Sequence, residues 1–279
     1  MSMVVNTNVM SLIAQTNLNN TTVKLNNAIT QLSSGLRINS AMDDPAGLSI
    51  ATTMQAQVNG MNQGVINANA AISSAQVADG AMGSVTNMLQ QMRTLAVEAA
   101  NGTNSGAGDT NLQAEFVSLA NQISNTLSNT TFNGIQVFSQ ASAITYQVGA
   151  NTTDVVSGGT NTLSTDANIL ALANISSTTI ANTASASSAI SAIDTALADV
   201  NSVRAQNGAY EIQFQQIVNA TQINSQNTAA AVSQIMDTNY AQATSALTQA
   251  QIVQQAGTAM LAQANLVPQS VLTLLSKLP

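Results

Sequence analysis

The feature that most constrains this chain is an apolar stripe that keeps a single spacing for four heptads. From Met54 the residues Val58, Met61, Val65, Ala68, Ile72 and Ala75 follow in alternating steps of four and three, and one step of seven passes Asp79 to reach Met82. A 3.5-residue repeat keeps the a and d side chains turned towards a partner helix, which is the seam of a coiled coil. The stripe continues into Leu89, Met92, Leu95, Ala96 and Ala99, so the spacing predicts one helix over about 46–100. At 1.5 Å per residue such a helix is roughly 80 Å long, and the chain is expected to build a rod.

The helix start is marked by Asp44 at an N-cap position and Pro45 at the first helical residue, where the missing N–H costs nothing. Asp43 adds a second carboxylate near the positive end of the helix dipole. The acid pair could be read as a metal or catalytic dyad, but no third ligand or base accompanies it, so it is read as a cap and hinge. Asn101-Gly102, Gly106 and Gly108 predict a polar loop after the helix.

A shorter helix follows with Leu112, Phe116, Leu119, Ile123 and Leu127 on one face, and it is expected to fold back on the first. The period then changes. Asn133-Gly134 signals a turn, Ile135 and Val137 alternate with polar residues, and so do Ile144, Tyr146 and Val148, predicting one or two β-hairpins. Residues 157–186 are rich in Ser, Thr, Asn and Ala and are read as a variable loop. Helical spacing returns from Ile190 and runs through Phe214 to Ile235, with Asn207-Gly208 as one weak point.

Both ends repeat the pattern. Leu18, Leu25, Ile29, Leu32 and Leu36 form one stripe; Met236, Tyr240, Ala243, Leu247, Ala250, Gly257, Leu261 and Ala264 occupy a single register. The expected fold is therefore mainly α: a long antiparallel helical coiled-coil rod with a small β-hairpin region and paired N- and C-terminal helices. The C-terminal seam is largely Ala and Gly, so a slender pair of this kind is expected to order fully only when neighbouring copies cover it.

Composition excludes most chemistry. The 279 residues hold no His and no Cys, with 12 acidic and 5 basic side chains for a net charge of −7. Zinc sites with the usual ligands, Cys–His and Ser–His pairs and imidazole switches are out of reach, so no catalytic, metal or cofactor residue is expected. Five scattered cations make a nucleic-acid surface implausible. No apolar run approaches the roughly 20 residues of a membrane span, and the first residues carry no Sec-type signal pattern. Charged residues are 6% of the chain, and amides and hydroxyls wet the surface instead.

Four segments in order, NTNVMSLIAQTNL at 6–18, LSSGLRINSAMDDPAGLSI at 32–50, LQQMRTLAVEAANGTNS at 89–105 and AQIVQQAGTAMLAQANLVPQSVLTLL at 250–275, resemble bacterial flagellin. The resemblance implies the subunit of the extracellular flagellar filament, a self-assembling helical homopolymer for motility. It implies an inner terminal-helix domain of 1–44 plus 236–279. A helical rod domain of 45–235 follows, with its β-hairpin region at about 130–156, in a short form without large outer domains. The polymerisation seam would then be Leu18, Leu25, Ile29, Leu32, Leu36, Leu247, Leu261, Val271, Leu274 and Leu275, with Asp43, Asp44 and Pro45 at the hinge. Implied partners are further copies of the chain, the flagellar type III export apparatus that passes it unfolded, an export chaperone and the filament cap. A hook-associated junction protein is the nearest alternative.

The same resemblance places a patch for host innate receptors at Gln91, Leu95 and Glu115. The family pattern has Arg where this chain has Gln91 and Glu where it has Thr94, so a charge-assisted donor is lost and recognition is expected to weaken. The family commonly ends in Leu-Leu-Arg, whereas Leu274-Leu275 is followed here by Ser276-Lys277-Leu278-Pro279.

Overall fold

The structure is a computed structural model that describes residues 7–103, 106–138, 144–158 and 179–275, the last nine of these by backbone alone. Along the chain come helices α1 (Val9–Ser34), α2 (Pro45–Ala99) and α3 (Gly106–Asn129), then strands β1 (Thr131–Phe132), β2 (Ile135–Gln136), β3 (Ile144–Gln147) and β4 (Val155–Gly158). Helices α4 (Thr183–Met236) and α5 (Tyr240–Leu275) complete the order. The fold is mainly α, as the periodicity predicts. Two compact units result: Met1–Gln55 with Asn227–Pro279, and Ala56–Gln226.

In the second unit α2, α3 and α4 share a core. Met82, Leu89 and Met92 from α2 meet Phe116, Ile123 and Leu127 from α3 and Ile193 and Val200 from α4, all buried. The buried line on α2 passes through Ala71, Ser74 and Ala78. It thus runs one position ahead of the Ile72, Ala75 and Asp79 of the sequence reading. That offset sets Asp79 at the rim, where its carboxylate accepts from Arg204 Nε at 2.8 Å. Arg93 reaches Asp194 in the opposite sense, at 2.7 Å. These two forks link α2 to α4 by side chains that the stripe alone cannot pair.

The hairpin reading resolves into two separate two-stranded antiparallel sheets. Asn133 (φ 50°) and Gly134 (φ 77°) form the two-residue turn between β1 and β2, both in the left-handed region that a type I′ hairpin demands. The β3–β4 pair lies against α2, where Asn67 Nδ2 donates to the Gln147 carbonyl at 2.8 Å. Its loop comes so close that a Cβ on Gly60 would stand 2.8 Å from Ala150 Cα. Tyr146 of β3 meets Phe214 edge-on with ring centroids 5.4 Å apart.

Two boundaries differ from expectation. Gly106 and Gly108 belong to the first turn of α3 rather than to a loop; Asp109 in that turn faces the positive end of the helix dipole and favours the earlier start. The tract at 157–186 is not all loop: Ser157 pairs with Thr145 in a sheet, and α4 begins at Thr183 with Asn182 Oδ1 accepting from Ser185 N at 2.9 Å. Residues 159–178 lie outside the described residues. Asn207 and Gly208 sit within α4 without interrupting it.

In the first unit α1 runs antiparallel to α5. Asn8 joins both: its Oδ1 caps α1 by accepting from Ser11 N at 3.1 Å, and its Nδ2 donates to the Ala264 carbonyl at 2.9 Å. Small residues fill the shared seam, with Ser11, Thr21 and Ala28 buried on α1 and Ala243 and Ala250 buried on α5. Leu18 packs onto Gly257, where a Cβ would meet its Cδ1 at 3.4 Å.

Candidate functional site

The first unit carries most of the residues that the sequence reading selected. Leu18, Leu25, Leu32 and Leu36 are half-buried, as are Leu247 and Leu261. The seam on α1 steps Leu18, Thr21, Leu25, Ala28, Leu32, a strict three-four alternation that includes Thr21 and Ala28 and leaves out Ile29. Ile29 is 49% exposed, because a step of four from Leu25 carries it off the line that a step of three keeps. Val271, Leu274 and Leu275 lie on the backbone of α5, and their side chains fall outside the described residues.

The fully buried seam residues are small, the seam leucines are half-covered, and a second set of large apolar residues points outward. Leu12 is 61% exposed, Met260 62% and Ile252 61%, and Val9, Ile13, Val23 and Leu266 are exposed with them. A folded chain seldom leaves so many large apolar side chains uncovered on one pair of helices. Sequence reasoning missed this outward set. Its signal was present: α1 is apolar at 9, 10, 12 and 13, more than a single stripe can absorb.

The two linkers that bound this helix pair are clasped together. Gly35 ends α1 in the left-handed conformation (φ 73°), with its N–H donating to the Gln31 carbonyl at 2.9 Å. A side chain there would be strained by that φ and would approach the Tyr240 hydroxyl at 3.1 Å. Leu36 and Asp237 form an antiparallel bridge. Arg37 N donates to Met236 O at 2.6 Å and Thr238 N to Gly35 O at 2.9 Å. The Arg37 guanidinium donates through Nη2 to the Ile235 carbonyl at 2.7 Å, so this cation serves a main-chain contact within the chain.

Downstream, Asp43 Oδ2 gathers the backbone N–H groups of Asn39 (3.0 Å) and Ser40 (2.9 Å) and the Ser40 hydroxyl. These donors hold the Asp43 carboxyl below the usual aspartate range, the Asn39 N–H first among them. Asp44 Oδ1 accepts from Gly47 N at 2.9 Å, and Pro45 is the first residue of α2. The two acids therefore serve different backbone segments and do not converge on one point. Among the described residues no group of three or more His, Cys, Asp or Glu is placed to hold a metal ion. No described helix is long and apolar enough to cross a membrane.

In the second unit Gln91 and Glu115 are exposed, and Leu95 is half-buried against the three-helix core. Arg93, between Gln91 and Leu95, is engaged by Asp194.

Comparison with known proteins agrees with this geometry. The family model for the bacterial flagellin N-terminal helical region matches residues 5–143, and that for the C-terminal helical region matches 190–275. A flagellin of Salmonella muenchen is 48% identical over 151 residues, which are 54% of this chain and 30% of that protein. The chain thus spans under a third of the length of that relative. The flagellar filament 33 kDa core protein of Treponema phagedenis is 33% identical over 98% of this chain and 100% of its own length. A solved structure of a flagellar hook-associated protein from Vibrio parahaemolyticus covers 70% of this chain with a TM-score of 0.55 at 16% identity, a likeness of fold alone.

Proposed function

This chain belongs to the bacterial flagellin family, and on that premise we propose that it is a structural subunit that polymerises into the extracellular flagellar filament and serves motility. The observation that carries the reading is that the helix pair is apolar on two faces: a seam of small buried residues flanked by half-buried leucines, and Leu12, Ile13, Ile252 and Met260 facing outward. Neighbouring copies would bury that outward face, and the still exposed share of each large side chain so covered contributes about 1–2 kcal/mol. The whole-length match to a filament core protein supports the filament over the hook junction.

On this reading the inner domain is 1–44 plus 236–279 and the helical domain 45–235, with Asp43, Asp44 and Pro45 where the two meet in sequence. The polymerisation seam of Leu18, Leu25, Leu32, Leu36, Leu247 and Leu261 stiffens the pair from within, while Ile29 joins the outward face. Partners are other copies of the chain and, on the way out of the cell, the type III export apparatus, its chaperone and the filament cap. Host innate receptors would meet Gln91, Leu95 and Glu115, weakly, because Gln91 offers no guanidinium fork.

The test is assembly. Purified chain seeded with filament fragments is expected to extend them into tubes visible by electron microscopy. Protein that stays unpolymerised at every concentration overturns the proposal. Limited proteolysis of the free chain adds a second readout: both ends should be trimmed first, leaving a core near 45–235. Equal resistance along the chain would favour a free coiled-coil adaptor.

A further inference from the structure

We propose that Asn101 is a site of spontaneous, non-enzymatic deamidation, and that the fold protects the three other Asn-Gly steps of the chain. The four Asn-Gly steps of the chain are Asn59-Gly60, Asn101-Gly102, Asn133-Gly134 and Asn207-Gly208. In each, the glycine nitrogen can attack the preceding side-chain amide carbon, because glycine has no Cβ to hinder the approach. The glycine nitrogen loses its proton to solvent base and bonds to Cγ; the Cγ–Nδ2 bond breaks and ammonia leaves. Water then opens the resulting succinimide at either carbonyl, giving aspartate or isoaspartate. No oxidant or reductant takes part.

Ring closure needs a free attacking nitrogen and an asparagine whose backbone can turn. Asn59 and Asn207 lie inside α2 and α4. There the following glycine N–H is committed to the helix ladder and ψ is fixed. Asn207 is also 2% exposed. Asn133 is exposed, but its φ of 50° and that of Gly134 belong to the turn that joins β1 to β2, and Val137 N closes the hairpin onto Thr130 O at 3.1 Å. Turning ψ there would unpair both strands.

Asn101 is held by neither a helix ladder nor a hairpin turn. It stands two residues past the end of α2, and Asn101, Gly102 and Thr103 are all exposed. The Asn101 N–H is held by Glu98 O at 3.1 Å, which anchors the residue, while the Gly102 N–H donates to no described residue. A Cβ on Gly102 would meet nothing within 4 Å, so space for the ring is open. Conversion changes the net charge from −7 to −8 and sets the new carboxylate at the negative end of the α2 dipole. A long-lived extracellular copy would carry this mark as a record of its age.

The test incubates the full chain in mildly alkaline buffer made with oxygen-18 water and maps label site by site by tandem mass spectrometry of peptides. Label is expected at Asn101 well ahead of Asn59, Asn133 and Asn207. In the denatured chain the four sites should react at similar rates. Gly102→Ala fits the open space and should leave the circular dichroism spectrum unchanged while slowing reaction at Asn101 roughly tenfold, since it places a Cβ on the attacking residue. Equal labelling of the four sites in the folded chain overturns the inference, as does first reaction at Asn133 or an unslowed Gly102→Ala.

Discussion

Replacing one outward leucine tests whether the uncovered face of the helix pair is an assembly surface. Leu12 is 61% exposed, so serine in its place removes few contacts from the free chain. If copies cover it, assembly buries the exposed share of a side chain whose full burial is about 1.5–3 kcal/mol, leaving about 1–2 kcal/mol at stake. At 1.4 kcal/mol per tenfold, Leu12→Ser should raise the concentration left unpolymerised at equilibrium roughly 5- to 30-fold. The assay pellets seeded polymer and measures protein in the supernatant, with circular dichroism of the free chain as control. Met260→Ser, at 62% exposure, should behave alike. Leu18→Ser is the contrasting case, since Leu18 packs on Gly257 within the pair and its loss should lower helix content before any assembly. An unchanged supernatant concentration for both Leu12→Ser and Met260→Ser would refute the assignment of this face.

Three further outcomes follow from the geometry. Phe116→Ala empties a fully buried position of the three-helix core and should cost about 3–5 kcal/mol in urea denaturation. Asp44→Ala removes the acceptor for Gly47 N and should cost about 1 kcal/mol, seen as a lower thermal midpoint. The Asp194 carboxyl is held below its usual value of 3.8, first by the hydrogen bond from Arg93. A depressed folded pKa stabilises above the unfolded value, and that stabilisation fades as pH falls through the folded one. Stability should therefore drop below about pH 4, and Arg93→Gln should flatten that drop; an unaltered acid limb in the variant would exclude the pairing.

Much of this fold is legible in the sequence because its signals are local. The 3.5-residue repeat, the Asp44-Pro45 start and the Asn133-Gly134 turn each depend on neighbours within one or two turns, and α2, with its first residue at Pro45, lies within one residue of its expected bounds. What escaped depends on partners far along the chain. Asp79 reads as a flaw in a stripe until Arg204, 125 residues away, supplies its counter-charge. Ile29 and Ala28 compete for one seam position, and only the partner helix decides between them. The outward set on α1 and α5 is invisible to a search for one buried stripe per helix, because both faces are apolar.

The bridge between Leu36 and Asp237 makes everything from Arg37 to Met236 a closed excursion that departs and returns at adjacent points. Such an excursion can be exchanged as one cassette, provided the replacement delivers its two ends a strand's width apart. Two cysteines substituted at that doorway would staple the loop shut, and a reducing agent would open it again.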